Sequence, residues 1–133
     1  MFERLLIALA LGLLSTGAFT AFRFDHLRRA SKQAPATGKP VLLYFRSDNC
    51  APCVAQGIYI QQLQAEHGER ILVRKVDAER EQAMTERYGV FTLPTTLIVD
   101  GAGRVQHANY GLTDAARLAS QLLALHWTKT SPP

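Results

Sequence analysis

The stretch VLLYFRSDNCAPC, residues 41–53, decides the fold. Its first five residues, Val41–Phe45, form a continuous apolar run, which is typical of a strand covered on both faces. A helix is predicted over Ala51–His67, because a proline fits in the first turn of a helix and Gly68 favours its end. The two cysteines therefore lie where a buried strand passes into a helix.

The chain after this helix continues to alternate between strand and helix patterns. The predicted elements are a strand at Ile71–Asp77, a helix at Glu79–Tyr88, strands at Thr95–Val99 and Arg104–Ala108 around a hairpin turn, and a last helix capped by Thr113. In the first helix, the predicted inward-facing residues are Val54, Ile58 and Leu63. This order predicts an α/β fold with one four-stranded mixed sheet flanked by helices on both faces.

Two cysteines three positions apart at a helix N-terminus favour thiol–disulfide exchange. The helix N-terminus offers unpaired N–H groups and a partial positive charge, which stabilise a thiolate at Cys50. Cys53 lies one turn further on, close enough to attack a mixed disulfide and release the substrate. The alternatives are a static disulfide and a pair of idle thiols.

Metal binding is not predicted as the main function. Two sulfurs leave a structural zinc site two ligands short, and the histidines at positions 26, 67, 107 and 126 show no ligand-like clustering. A Cu(I) carrier using both thiolates remains an alternative, since Cu(I) prefers soft sulfur ligands.

Residues 39–127 are predicted to form one domain that resembles the thioredoxin family, particularly its small membrane-associated members. The segments that carry the resemblance are Lys39–Phe45, Asn49–Cys53, Val76–Asp77 and Arg87–Thr95. The resemblance implies catalysis by Cys50 and Cys53, with Ala51 and Pro52 supporting the motif, and no cofactor. It also implies that Pro94 is cis beside the disulfide and that the backbone of Leu93 binds protein thiol or disulfide substrates as an added strand.

The chain departs from the family pattern at two positions. Asn49 stands where tryptophan often precedes the first cysteine, and Tyr44 stands where thioredoxins carry a buried acid. A tyrosine with an ordinary pKa near 10 cannot act as a carboxylate base. Of the nearby charges, Arg46 favours a Cys50 thiolate and Asp48 opposes it, unless both are simply solvated. These departures leave a non-catalytic binding module as an alternative function.

Residues 5–22 are uncharged and predict a single-pass transmembrane anchor, with a cleaved signal peptide as the alternative. On this interpretation residues 1–4 are a short tail, residues 23–38 a basic juxtamembrane linker and residues 128–133 a C-terminal tail. The formal net charge of +4 comes largely from this linker region. Basic residues beside an apolar segment usually flank a membrane, so nucleic acid is not a predicted partner.

The charge distribution also bears on which side of the membrane the domain occupies. One Lys or Arg precedes the apolar segment, and five lie within residues 23–39. The positive-inside rule therefore favours the cytoplasmic face. The extracytoplasmic face is the alternative, because many anchored proteins of this kind lie there.

Overall fold

One four-stranded sheet organises residues 38–127, which this computed structural model describes together with residues 1–12 and 25. In chain order the elements are α1 (residues 2–12), β1 (Val41–Arg46), α2 (Ala51–His67), a 3₁₀ turn (Gly68–Arg70), β2 (Leu72–Asp77), α3 (Gln82–Arg87), β3 (Thr95–Val99), β4 (Val105–Tyr110) and α4 (Ala115–Trp127). The strand order is β2-β1-β3-β4. β1 is parallel to β2 and antiparallel to β3, which is antiparallel to β4. The prediction of a four-stranded mixed sheet is confirmed.

Alternate residues of β1 face opposite sides of the sheet, as the period of a strand requires. Leu42 and Tyr44 face α2 and α4, whereas Leu43 and Phe45 face α3. The first side is packed by Cys53, Ile60, Leu63, Ile98, Leu118 and Leu122. The second is packed by Val76, Tyr88, Leu97 and Val99. Helices therefore cover both faces, and the cysteine helix belongs to the first side.

The strand predictions hold to within two residues at each end, and β3 has the predicted bounds. α3 is shorter than the predicted helix at Glu79–Tyr88. The carboxylate of Asp77 accepts the backbone N–H groups of Glu79 and Arg80 at 3.0 and 3.1 Å. Glu81 departs from helical backbone geometry, with φ −108° and ψ 53°, so the helix begins only at Gln82.

The predicted inward face of α2 is wrong at two of three positions. Val54 and Ile58 are 70% and 51% exposed, and only Leu63 is buried as predicted. The buried residues of α2 are Cys53, Gln56, Ile60 and Leu63, at the three- and four-residue spacing of one helix face. Because Gln56 is polar, the apolar pattern alone points to the wrong face.

The predicted cap of the last helix is also wrong by one residue. Asp114 Oδ1 accepts the backbone N–H of Arg117 at 2.8 Å, which is the contact that an N-cap carboxylate makes. Thr113 is buried, and its hydroxyl donates to the Gly111 carbonyl at 3.3 Å instead.

The predicted anchor at residues 5–22 falls partly outside the described residues. Residues 5–12 belong to α1, while residues 13–22 are not described. In the described part of the chain, no helix combines the length and the apolar character needed to cross a membrane. The linker at residues 23–38 and the tail at 128–133 also lie outside the described residues, apart from residues 25 and 38.

Candidate functional site

Cys50 and Cys53 form a disulfide at the amino end of α2. The S–S distance is 2.07 Å and the Cα atoms are 5.3 Å apart. Cys50 is the N-cap residue with an extended backbone, and Pro52 lies in the first turn, as predicted. The Cys53 N–H donates to the Cys50 carbonyl at 3.1 Å, which closes the turn between the two sulfurs.

The two cysteines differ in their access to solvent. Cys50 is half-buried, whereas Cys53 is 3% exposed and belongs to the core between the sheet and α2. An incoming sulfur can therefore reach Cys50, while Cys53 is placed to act only on Cys50. The predicted roles, attack by Cys50 and resolution by Cys53, require such an asymmetry.

Tyr44 lies beneath the disulfide and is 1% exposed. Its hydroxyl donates to the backbone carbonyl of Cys53 at 2.5 Å. Burial raises the pKa of Tyr44 above its ordinary value of 10.0, and the charge of Arg46 opposes that rise. The side chain is therefore a neutral donor at physiological pH. Among the residues described, none of the buried side chains is a carboxylic acid.

The charges that flank Cys50 in sequence neutralise one another. Arg46 donates from Nη2 to Asp48 Oδ1 at 2.6 Å, and Arg80 lies 3.7 Å from Asp48 Oδ2. The hydrogen bond from Arg46 lowers the pKa of Asp48, and the charges of Arg46 and Arg80 lower it further. The opposing effects predicted for Arg46 and Asp48 on a Cys50 thiolate are thus largely cancelled. The helix N-terminus is left as the main local stabiliser of the thiolate.

Leu93 and Pro94 form the segment that leads into β3. Their peptide bond is cis, as the resemblance implies. Leu93 and Cys50 are both half-buried and both pack against the core that contains Cys53. Pro94 is buried, and its carbonyl accepts the N–H of Gly111 at 2.8 Å. The site therefore combines the end of α2, the segment before β3 and the loop after β4.

An exposed aromatic pair close to this segment was missed by the sequence reasoning. The rings of Phe91 and Tyr110 have centroids 4.8 Å apart and are 63% and 37% exposed. Phe91 precedes Leu93 by two residues, and Tyr110 pairs with Thr95 across β3 and β4. The strand register therefore brings these rings together. The signal in the sequence was two large aromatic residues near the ends of predicted strands.

Asn49 is exposed, directly before the half-buried Cys50. In the described part of the chain, no group of three or more histidine, cysteine or acidic side chains is arranged to hold a metal ion.

Comparison with known proteins agrees with this geometry. A sequence model of a thioredoxin-like domain matches residues 27–126. A thioredoxin-like protein of Synechocystis sp. is 32% identical over 84 residues, which cover 63% of this chain and 79% of the relative. Chloroplastic thioredoxin Y of Oryza sativa is 31% identical over 99 residues, which cover 74% of this chain and 55% of the relative.

Solved structures show the same architecture. The germline-specific thioredoxin Deadhead of Drosophila melanogaster superposes with a TM-score of 0.60 at 26% identity, covering 68% of this chain and 84% of that one. A mutant thioredoxin from Halobacterium salinarum gives a TM-score of 0.62 at 26% identity, covering 73% and 81%.

Proposed function

This chain belongs to the thioredoxin-like family and is a thiol–disulfide oxidoreductase, and we propose that it acts on protein substrates while tethered to a membrane. The observation that carries the exchange chemistry is the Cys50–Cys53 disulfide at the amino end of α2, with one accessible and one buried sulfur. The membrane tether rests on the composition of residues 5–22.

Exchange proceeds through a mixed disulfide. In the reducing direction, the Cys50 thiolate attacks one sulfur of a substrate disulfide and displaces the other as a thiolate. Cys53 then loses its proton, attacks the Cys50 sulfur and releases the second substrate thiol. The product is the Cys50–Cys53 disulfide, so two electrons pass from the protein to the substrate. The oxidising direction is the reverse.

Protein substrates fit the surface around Cys50. Leu93 is half-buried and packs against the core that contains Cys53. The exposed ring of Phe91, two residues earlier in the chain, is paired with that of Tyr110. An extended peptide could pair with the backbone at Leu93 while an apolar side chain covers these rings. Such contacts suit a polypeptide better than a small thiol.

Two substitutions test the exchange reaction on the full chain in mild detergent. Cys50→Ser should abolish dithiothreitol-dependent reduction of insulin, because the attacking sulfur is gone. Cys53→Ser should retain the first step and accumulate a mixed disulfide with insulin, visible on a non-reducing gel. A Cys50→Ser protein with wild-type activity would refute the assignment, and a double Cys→Ser variant that still supports the cellular role would favour the binding-module alternative.

The tether is supported by the sequence and by where the chain enters the domain. Residues 5–22 are uncharged and are followed by a basic stretch. The Gly38 N–H bonds to the Gly101 carbonyl at 3.0 Å, at the end of β1 opposite to Cys50. A six-residue strand is about 20 Å long. A tether entering at this end would be separated from the disulfide by about the length of β1.

Topology is tested by adding protease to intact spheroplasts and then to lysed ones, with the domain followed by antibody. The charge count favours protection until lysis, which corresponds to a cytoplasmic domain. Digestion of intact spheroplasts would place the domain on the extracytoplasmic side. Release of the full-length chain from membranes by alkaline carbonate would refute an integral tether on either side.

A further inference from the structure

Gln56 makes an unusual connection from the helix that carries the cysteines. It lies on α2 one turn after Cys53 and is 0% exposed. Its Nε2 donates to the Thr113 carbonyl at 2.9 Å, and its Oε1 accepts the Thr113 N–H at 2.8 Å. One side chain thus satisfies both backbone groups of a residue 57 positions away.

Packing alone does not require an amide at this position. The residues that share the buried face of α2 are Cys53, Ile60 and Leu63, all of which pack in an apolar core. A buried amide is tolerated because both of its polar atoms are paired. Compared with an apolar side chain, it adds a fixed direction and distance to Thr113.

Thr113 ends a short loop that is hydrogen-bonded to the Leu93–Pro94 segment. The Gly111 N–H donates to the Pro94 carbonyl at 2.8 Å, and the Thr113 hydroxyl donates to the Gly111 carbonyl at 3.3 Å. The loop of residues 111–113 is therefore bonded at one end to the cysteine helix and at the other to Pro94. Leu112, between them, is 50% exposed.

We propose that Gln56 is a positioning residue that holds the 111–113 loop, and through it the Leu93–Pro94 segment, in register with Cys50 for binding a protein substrate. This inference rests on the proposed action on protein substrates. Gln56 does not touch the sulfurs, so its effect should appear in the binding of a polypeptide and not in the intrinsic reactivity of the disulfide.

The main test compares Gln56→Leu with a matched control, Gln121→Leu. Gln121 forms an equivalent reciprocal amide pair with Asn109, at 2.8 and 2.9 Å, between α4 and β4. Each substitution removes two hydrogen bonds, but only the first releases the 111–113 loop. Both variants and the wild type are studied as full chains in mild detergent, well below their unfolding temperatures.

For Gln56→Leu we expect the KM for insulin to rise roughly three- to tenfold, because a loosened loop must be ordered again on binding. Its kcat and the rate at which dithiothreitol reduces the Cys50–Cys53 disulfide, followed by quenched thiol labelling, should stay within about twofold of wild type. Gln121→Leu should leave the KM at the wild-type value.

A second variant supplies a pH readout and decides the question if Gln56→Leu fails to fold. In Gln56→Glu, the protonated acid can reproduce both hydrogen bonds, whereas the carboxylate cannot donate to the Thr113 carbonyl. A buried glutamate can titrate as high as about pH 8–9. The ratio of its insulin KM to that of wild type should therefore be near one at low pH and should rise as the pH increases.

The outcomes separate the two proposals. A wild-type chain whose Cys50–Cys53 disulfide is reduced by dithiothreitol but which never reduces insulin overturns the protein-substrate proposal and this inference with it. An active wild type whose insulin KM is unchanged by Gln56→Leu, or equally raised by Gln121→Leu, overturns the inference alone. A flat KM ratio for Gln56→Glu across the pH range does the same.

Discussion

Among the residues that the structure describes no carboxylic acid is buried, and the hydroxyl of Tyr44 is the group to test in its place. Tyr44→Phe removes one oxygen and leaves the ring in its place in the core. The lost contact is the hydrogen bond to the Cys53 carbonyl at 2.5 Å. If the hydroxyl has only a structural role, the domain should become less stable while the exchange chemistry is kept.

The expected loss of stability is modest. A buried hydrogen bond contributes about 0.5–1.5 kcal/mol net, and the Cys53 carbonyl keeps its position in the hydrogen-bonded ladder of α2. We therefore expect a decrease in the free energy of unfolding of about 1 kcal/mol, which lowers the Tm of a domain of this size by roughly 4–8 °C. Thermal and urea unfolding, followed by circular dichroism, measure both quantities.

The pH dependence of that difference has a defined sign. Burial raises the folded-state pKa of Tyr44 above 10.0, despite the opposing charge of Arg46. The stability that the neutral hydroxyl contributes is therefore complete below about pH 10 and is lost as the pH rises through the folded-state pKa. Phenylalanine does not ionise, so the stability gap between wild type and Tyr44→Phe should narrow above pH 10. Burial also raises the pKa of Tyr88, which is common to both proteins.

The activity assay decides whether this reasoning is right. Insulin reduction by Tyr44→Phe should stay within about twofold of wild type, with the same pH–rate profile. A loss of tenfold or more in a folded variant, or a displaced profile, would mean that the hydroxyl takes part in proton transfer. An unchanged free energy of unfolding would show that the hydrogen bond contributes nothing.

Further predictions concern two glycines and two acidic residues. Gly57→Ala should stabilise the domain by about 0.5–1 kcal/mol, because alanine favours a helix and its Cβ would meet nothing within 4 Å. Gly101→Ala should instead lower the Tm, because its Cβ would lie 2.7 Å from the backbone carbonyl carbon of Gly38. Asp48→Asn should speed alkylation of reduced Cys50 by iodoacetamide below neutral pH, less so in high salt, because a negative charge near the thiolate is removed. Burial of Asp100 raises the pKa of its carboxyl, but the hydrogen bonds it accepts outweigh this effect and lower the pKa overall. Asp100→Asn should therefore be less stable than wild type at neutral pH, and this difference should disappear as the pH falls through the folded-state pKa. Chemical denaturation at several pH values tests this.

The sequence could predict the parts of this protein that depend on local pattern. The apolar run at Val41–Phe45, the turn signals and the cysteine spacing are each contained within a few residues, and together they predicted the sheet and the position of the disulfide. The orientation of α2 was wrong because its buried face includes Gln56. The partner that makes this burial tolerable, Thr113, lies 57 residues away.

Other features of the site depend on geometry between elements. The Phe91–Tyr110 pair forms because the register of β3 and β4 places Tyr110 opposite Thr95, and a one-residue change of register would turn the ring to the other face. The pairing of Arg46 with Asp48 depends on how the chain bends after β1. A sequence pattern gives the charges of these two residues, but it does not show whether they form an ion pair with each other or act on the Cys50 thiolate.

The arrangement around Cys53 has a consequence for the order of proton transfers. Cys53 is 3% exposed, Tyr44 is neutral, and among the described residues no carboxylic acid is buried to accept the Cys53 proton. The substrate thiolate displaced in the first step is created beside the mixed disulfide, and it is a stronger base than an ordinary carboxylate. If it takes the Cys53 proton before it diffuses away, the second step is coupled to the first. The mixed disulfide is then resolved faster when the thiol displaced in the first step is more basic. Such coupling would let the fold complete exchange with tyrosine in place of the acid, and a resolving rate that does not vary with the pKa of the displaced substrate thiol would exclude it.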